Sequence, residues 1–243
     1  MNQFHLMKTI LPTSFQISKR LRPAWKTVAL CVCSFSVLAV RAQPLISNTY
    51  QTPYGLVPDV FLDQWVAAPF QTGPNPSLVS SVSLYEWTFS TYGQPDGLFS
   101  VSIYNDVDGK PGSLISGGAL AGPSKPAGAS YQTYSASQPL SLAANSRYWV
   151  VAASSGGDPF DTYAWAAATT TGYASTAGWS FFNYFDSTHD QGATWDTSDL
   201  GPGIGPQLLA INGVVVPEPS AAALVAMPVL LLLAYRNPRG RLA

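Results

Sequence analysis

The sequence predicts an all-β domain, a two-sheet β-sandwich of jelly-roll type, flanked by two short apolar segments of a different kind. Three observations carry that prediction. Between residues 43 and 215 no stretch repeats its apolar residues at helical spacing. Short runs rich in Val, Ile, Thr, Tyr, Phe and Trp recur instead, separated by clusters of Gly, Pro, Asn and Asp. No cysteine follows Cys33, so the domain has neither a disulfide nor a thiolate metal site and depends on an ordinary core.

The first candidate strand covers residues 63–70. Residues 79–89 (VSSVSLYEWTF) alternate, with Val82 and Leu84 on one face and Tyr85, Trp87 and Phe89 on the other. Residues 98–104 place Phe99, Val101 and Ile103 on a single face, and a turn over 105–112 leads to a short return over 113–116. Within that turn Asp108-Gly109 predicts positive φ. Runs at 131–135, 147–153, 162–168, 179–185 and 207–212 bring the strands to about nine, a spacing that favours a sandwich over a closed barrel. Residues 213–220 read as a linker. Trp87, Trp149 and Trp179 read as packed between the sheets, because aromatic residues at alternating strand positions are usually core. Glu86, between Tyr85 and Trp87, reads as outward-facing.

Residues 1–42 read as an export signal. Lys8, Lys19, Arg20, Arg22 and Lys26 form a basic region, residues 27–40 are uncharged, and Val40-Arg41-Ala42 places small residues at −3 and −1 before Gln43. Arg20 and Arg22 are not adjacent, so the expected partners are the Sec machinery and signal peptidase, not a twin-arginine route. The alternative, an uncleaved membrane helix, has only 14 apolar residues to work with.

Residues 214–243 have three parts: Val216-Pro217-Glu218-Pro219, an uncharged run over 221–235, and Arg236, Arg239 and Arg241. The prolines keep the first part extended. A helix over the 15 uncharged residues covers about 22 Å at about 1.5 Å per residue, short of the ~30 Å hydrocarbon core. Pro228 interrupts it. A short span behind an exposed strip has the logic of a transient membrane stop, with the arginines kept on the cytoplasmic side. The same residues also read as a plain tail anchor.

That order of parts resembles the PEP-CTERM sorting signal of Gram-negative envelope proteins. The resemblance implies that an exosortase, a membrane-bound cysteine transpeptidase, reads Val216, Pro217, Glu218 and Pro219, with Arg236, Arg239 and Arg241 as the membrane stop. It implies an inner-membrane intermediate and then the cell envelope, outer surface or extracellular matrix. A second segment, Phe99-Ser-Val-Ser-Ile-Tyr104-Asn-Asp-Val-Asp108-Gly-Lys-Pro111-Gly112, resembles the "choice-of-anchor" bacterial surface domains, in which similar β-domains carry different C-terminal anchors. The likeness spans residues 45–212 and implies a β-sandwich without an assigned activity.

The charge distribution narrows the function. Between residues 43 and 215 twelve acids face only Lys110, Lys125 and Arg147, a net charge of −9. Such a domain cannot neutralise a phosphate backbone, and nucleic acid is not an expected partner. Asp106 and Asp108 followed by Gly109 suggest the start of a Ca²⁺ loop. Pro111 and Gly117 at the fifth and twelfth positions exclude an EF-hand, and a simple hairpin turn is the favoured reading of the same residues. Asp186, His189 and Asp190 form an acidic loop cluster that is either solvated or a metal site. No other cofactor is expected. His189 is the sole histidine after the signal and has no nucleophile elbow beside it; Glu86 is the sole glutamate between 43 and 215. An enzyme is therefore not expected. Tyr173, Trp179, Tyr184 and Trp195 are the candidate glycan contacts. The sequence thus leads to a non-catalytic exported envelope or matrix protein, or alternatively to a carbohydrate-binding, lectin-like surface module that meets extracellular polysaccharide.

Overall fold

A computed structural model describes residues 42–55, 58–90, 95–157, 160–176, 178–201 and 203–216. The export and sorting segments, including Pro217, Glu218, Pro219 and the three terminal arginines, lie outside the described residues.

The described chain is all β. Its strands are β1 (Gln43–Ser47), β2 (Pro53–Tyr54), β3 (Asp59–Val60), β4 (Trp65–Gln71), β5 (Ser77–Ser90), β6 (Phe99–Val107), β7 (Lys110–Leu120) and β8 (Ser130–Leu142). They continue as β9 (Arg147–Ser154), β10 (Asp161–Trp165), β11 (Ala167–Ala168), β12 (Ala174–Ser175), β13 (Ser180–Phe181), β14 (Tyr184–Thr188), β15 (Asp196–Asp199) and β16 (Leu209–Val215). The first sheet runs β12–β1–β16–β5–β10–β3, with β8 also on β5. The second runs β15–β14–β4–β9–β6–β7, with β13 also on β4, and β2 pairs separately with β11. At one edge the sheets meet where Ala121 and Ser135 exchange backbone hydrogen bonds of 2.8 and 2.7 Å. This is the two-sheet sandwich that the alternating pattern predicts.

The core lies between the sheets. Val79, Val82 and Leu84 of β5, Tyr134, Leu140 and Leu142 of β8, and Leu209 and Ile211 of β16 face Val66 and Phe70 of β4, Phe99, Val101 and Ile103 of β6, and Val150 of β9. Val79 and Val82 are an odd number of residues apart, which strict alternation would put on opposite faces. A bulge between Val79 and Ser81 restores the phase, so both point inward.

Several elements differ from the sequence expectation. The return strand β7 runs to Leu120 and β8 to Leu142, because pairing with β6 and β5 respectively extends stretches of weak β-propensity. The runs at 162–168 and 179–185 each split in two, and β1 supplies a strand that its short apolar stretch did not announce. β16 continues through Gly213 to Val215, residues assigned above to the linker. Glu86 is corrected outright: it points inward with Val82 and Leu84 and is 0 % exposed. Trp87 and Trp149 are corrected in the opposite sense. Each lies on the outer face of its sheet, Trp87 among Tyr85 and Phe89 and Trp149 in a separate cluster, whereas Trp179 joins the core.

Candidate functional site

The outer face of the second sheet gathers most of the chemistry. Phe99, Val101 and Ile103 fill the core, so the same alternation sends Ser100, Ser102, Tyr104 and Asp106 outward. Across the sheet, Asp186 pairs with Ala67, Ala67 with Val151, Val151 with Ser102, and Ser102 with Ala119. Four of these five side chains are small or short. The row therefore forms a low floor between bulkier neighbours. At its Val151 and Ser102 positions opens a trough of about 450 Å³, lined also by Ser100 and Ala153, with Trp65 and Tyr104 as its aromatic walls and Leu98 and Ser155 at its rim.

Beside the trough stands a polar aromatic network. Trp149 is 0 % exposed, and its indole N–H donates to Asp106 Oδ1 at 2.8 Å. Arg147 Nη1 lies 3.9 Å from the same oxygen, donates to the Tyr184 hydroxyl at 3.3 Å, and sets its guanidinium 4.4 Å over the Phe182 ring. Tyr184 meets Trp149 edge-on at 6.0 Å. Lys110 reaches Asp186 at 3.4 Å and also contacts the Thr197 hydroxyl. Burial pushes the Asp186 carboxyl above its ordinary value, while Thr197 and Lys110 pull it back.

The loop between β14 and β15 completes this face. Thr188 Oγ1 donates to Asp190 Oδ1 at 2.5 Å, and Thr194 donates to Asp190 from its backbone at 2.8 Å and its hydroxyl at 2.7 Å. These bonds, that from Thr188 first, hold the Asp190 carboxyl down at about 2. Gly192 takes φ of 89° there, and a Cβ on it would approach the Trp65 ring at 3.0 Å and Trp195 at 3.5 Å.

The sequence-predicted residues separate on this frame. Tyr184 and Trp195 both pack against the cluster of Ala67, Trp149 and Val151 on the outer face. Trp179 is 3 % exposed and stacks on Phe70 at 5.9 Å, so it presents no face to a glycan. Tyr173 sits elsewhere, edge-on to Phe181 at 5.5 Å. Asp108 and Gly109 take φ of 51° and 80° in a two-residue hairpin loop between paired Val107 and Lys110, as Asp-Gly predicts. Asp106 Oδ2 accepts the Gly109 N–H at 3.2 Å, so both its oxygens meet donors. An arginine, an indole and an amide thus surround the Asp106 carboxylate. Asp186 faces Lys110, Asp190 closes its own loop, and His189 is exposed. Among the described residues no three His, Cys, Asp or Glu side chains converge on a common point. Trp65, Ser100, Ser102 and Tyr104 were not foreseen as a site, although the alternation through Phe99, Val101 and Ile103 already placed the β6 residues on one face. No protein-family model matches the chain, and no curated protein aligns with it.

Proposed function

We propose that the chain is an exported, non-catalytic surface protein of the bacterial envelope, presented through its C-terminal Pro-Glu-Pro segment by an exosortase-like enzyme. One observation carries the reading. Gln43, the first residue after the expected signal cleavage, pairs with Gly213, three residues before Val216 opens the sorting strip. The Val216 N–H in turn donates to Pro76 O at 2.8 Å. Both expected processing points therefore adjoin neighbouring antiparallel strands, and cuts at both leave every described strand in place. Two further observations support a non-catalytic role: Glu86 is enclosed in the core, and His189 stands exposed beside an Asp190 already bound within its own turn.

Mass spectrometry of the protein from a host with the sorting enzyme tests this. The mature chain is expected to begin at or near Gln43, to lack thiols and to have lost Ala243. Glu218→Ala, or alanine at both Pro217 and Pro219, should leave the tail attached, whereas Leu231→Ile should not. A plain tail anchor is indifferent to Glu218, and an intact Ala243 on mature wild-type protein would overturn the proposal.

A further inference from the structure

We infer that the trough on the outer face of the second sheet binds a neutral oligosaccharide. The inference goes beyond the sorting reading and does not depend on it. Pyranose rings carry apolar C–H faces ringed by hydroxyls, so they are held by flat aromatic surfaces set beside short polar groups. The trough offers that combination: Trp65 and Tyr104 as walls, with Ser100 and Ser102 in the floor. The Ser102 hydroxyl has no protein partner among the described residues, and Ser100 makes only a long 3.5 Å contact to the Ala153 carbonyl, so both can serve a ligand.

Size and charge select the occupant. A space of about 450 Å³ falls within the range of small-ligand sites, roughly 300–1,000 Å³. It is open and crosses from β9 to β6, neighbours spaced by about 4.8 Å, which suits a short chain of sugars better than one enclosed ring. No carboxylate or cationic group lines it. The two cations of this face, Lys110 and Arg147, are already engaged by Asp186 and Asp106. With a domain charge of −9 over residues 43–215, a uronate polymer would be repelled.

The test is a titration of the protein, purified in whichever form an exporting host leaves it, against gluco-, manno-, galacto- and xylo-oligosaccharides of six residues. A uronic-acid hexamer is the charged comparison. Tryptophan fluorescence and calorimetry are expected to show saturable micromolar-to-millimolar binding of at least one neutral member. Trp65→Ala should weaken it at least tenfold. Trp65 also packs against Gly192, so Ser100→Trp and Ser102→Trp serve as second variants that fill the trough while removing no packing; both should abolish binding with the melting temperature retained. Tyr131→Phe, on the other sheet, should bind as wild type. The proposal is overturned if no neutral member binds, if the uronate binds in preference, or if both trough-filling variants bind normally. None of these outcomes depends on how the C-terminus is processed.

Discussion

Inside the closed core the hydroxyl of Tyr134 donates to Glu86 Oε2 at 3.1 Å, while Oε1 of the same carboxyl has no partner among the described residues. Glu86 is 0 % and Tyr134 1 % exposed. Desolvation pushes the Glu86 carboxyl up to about 8, against the smaller pull of the Tyr134 bond. The Tyr134 hydroxyl is pushed up in turn, by burial and then by the neighbouring acid. Glu86 is therefore protonated in the folded protein at neutral pH.

That protonation makes stability fall with rising pH. The unfolded chain releases the Glu86 proton near its ordinary 4.5, and the folded chain holds it to about 8. Between those values the folded state binds more protons, so the contribution of Glu86 is full below 4.5, declines through the window and is flat above 8. Each unit is worth about 1.4 kcal/mol, a total on the order of 5 kcal/mol. Urea unfolding across this window should show that slope in wild type and a much flatter one in Glu86→Gln. Parallel slopes would refute the assignment.

Asn48 should be a costly residue to lose. Its side chain is 0 % exposed, donates to the Gln207 carbonyl at 3.0 Å and accepts the Leu209 N–H at 2.7 Å, extending β1 onto the start of β16. Alanine would leave both backbone groups buried and unpaired, at about 1–3 kcal/mol each. Thermal denaturation should show Asn48→Ala melting about 5–15 °C lower. A shift of under 2 °C would mean that water replaces the amide.

Asp106 should act as a structural acceptor. Asp106→Ala strips the buried Trp149 N–H and the Gly109 N–H of their acceptor, and should cost about 1–3 kcal/mol. Because donors already occupy both oxygens, millimolar Ca²⁺ or a chelator should leave the melting temperature of wild type unchanged. A Ca²⁺-dependent rise, lost in Asp106→Ala, would instead establish the metal reading.

Asp190 should govern the order of the loop that carries Gly192 and Trp195 to Trp65. Asp190→Ala removes the acceptor for Thr188 and Thr194, and is expected to speed amide exchange at Thr194 and to red-shift the tryptophan emission. The Asp190 carboxyl is held low, so its contribution is present above the ordinary 3.8 and disappears only as pH falls toward 2. Unchanged exchange at Thr194 would show that packing alone orders the loop.

Much of the sandwich was already legible in local pattern. Phe99, Val101 and Ile103 announce β6 because a side-chain period of two is intrinsic to a strand, and Asp108-Gly109 announces its hairpin because positive φ favours those two residues. The tertiary structure alone decided which face met the other sheet. Glu86 and Trp87 are adjacent in one strand, and local chemistry would send the acid outward and the indole inward; the phase set by Val82 and Leu84 did the reverse. The trough likewise depends on long-range register, since Trp65, Val151 and Ser102 come together only when β4, β9 and β6 pair. Alternation along one strand is a property of its own backbone, whereas the floor of a site spanning three strands is set by pairings between residues far apart in the chain.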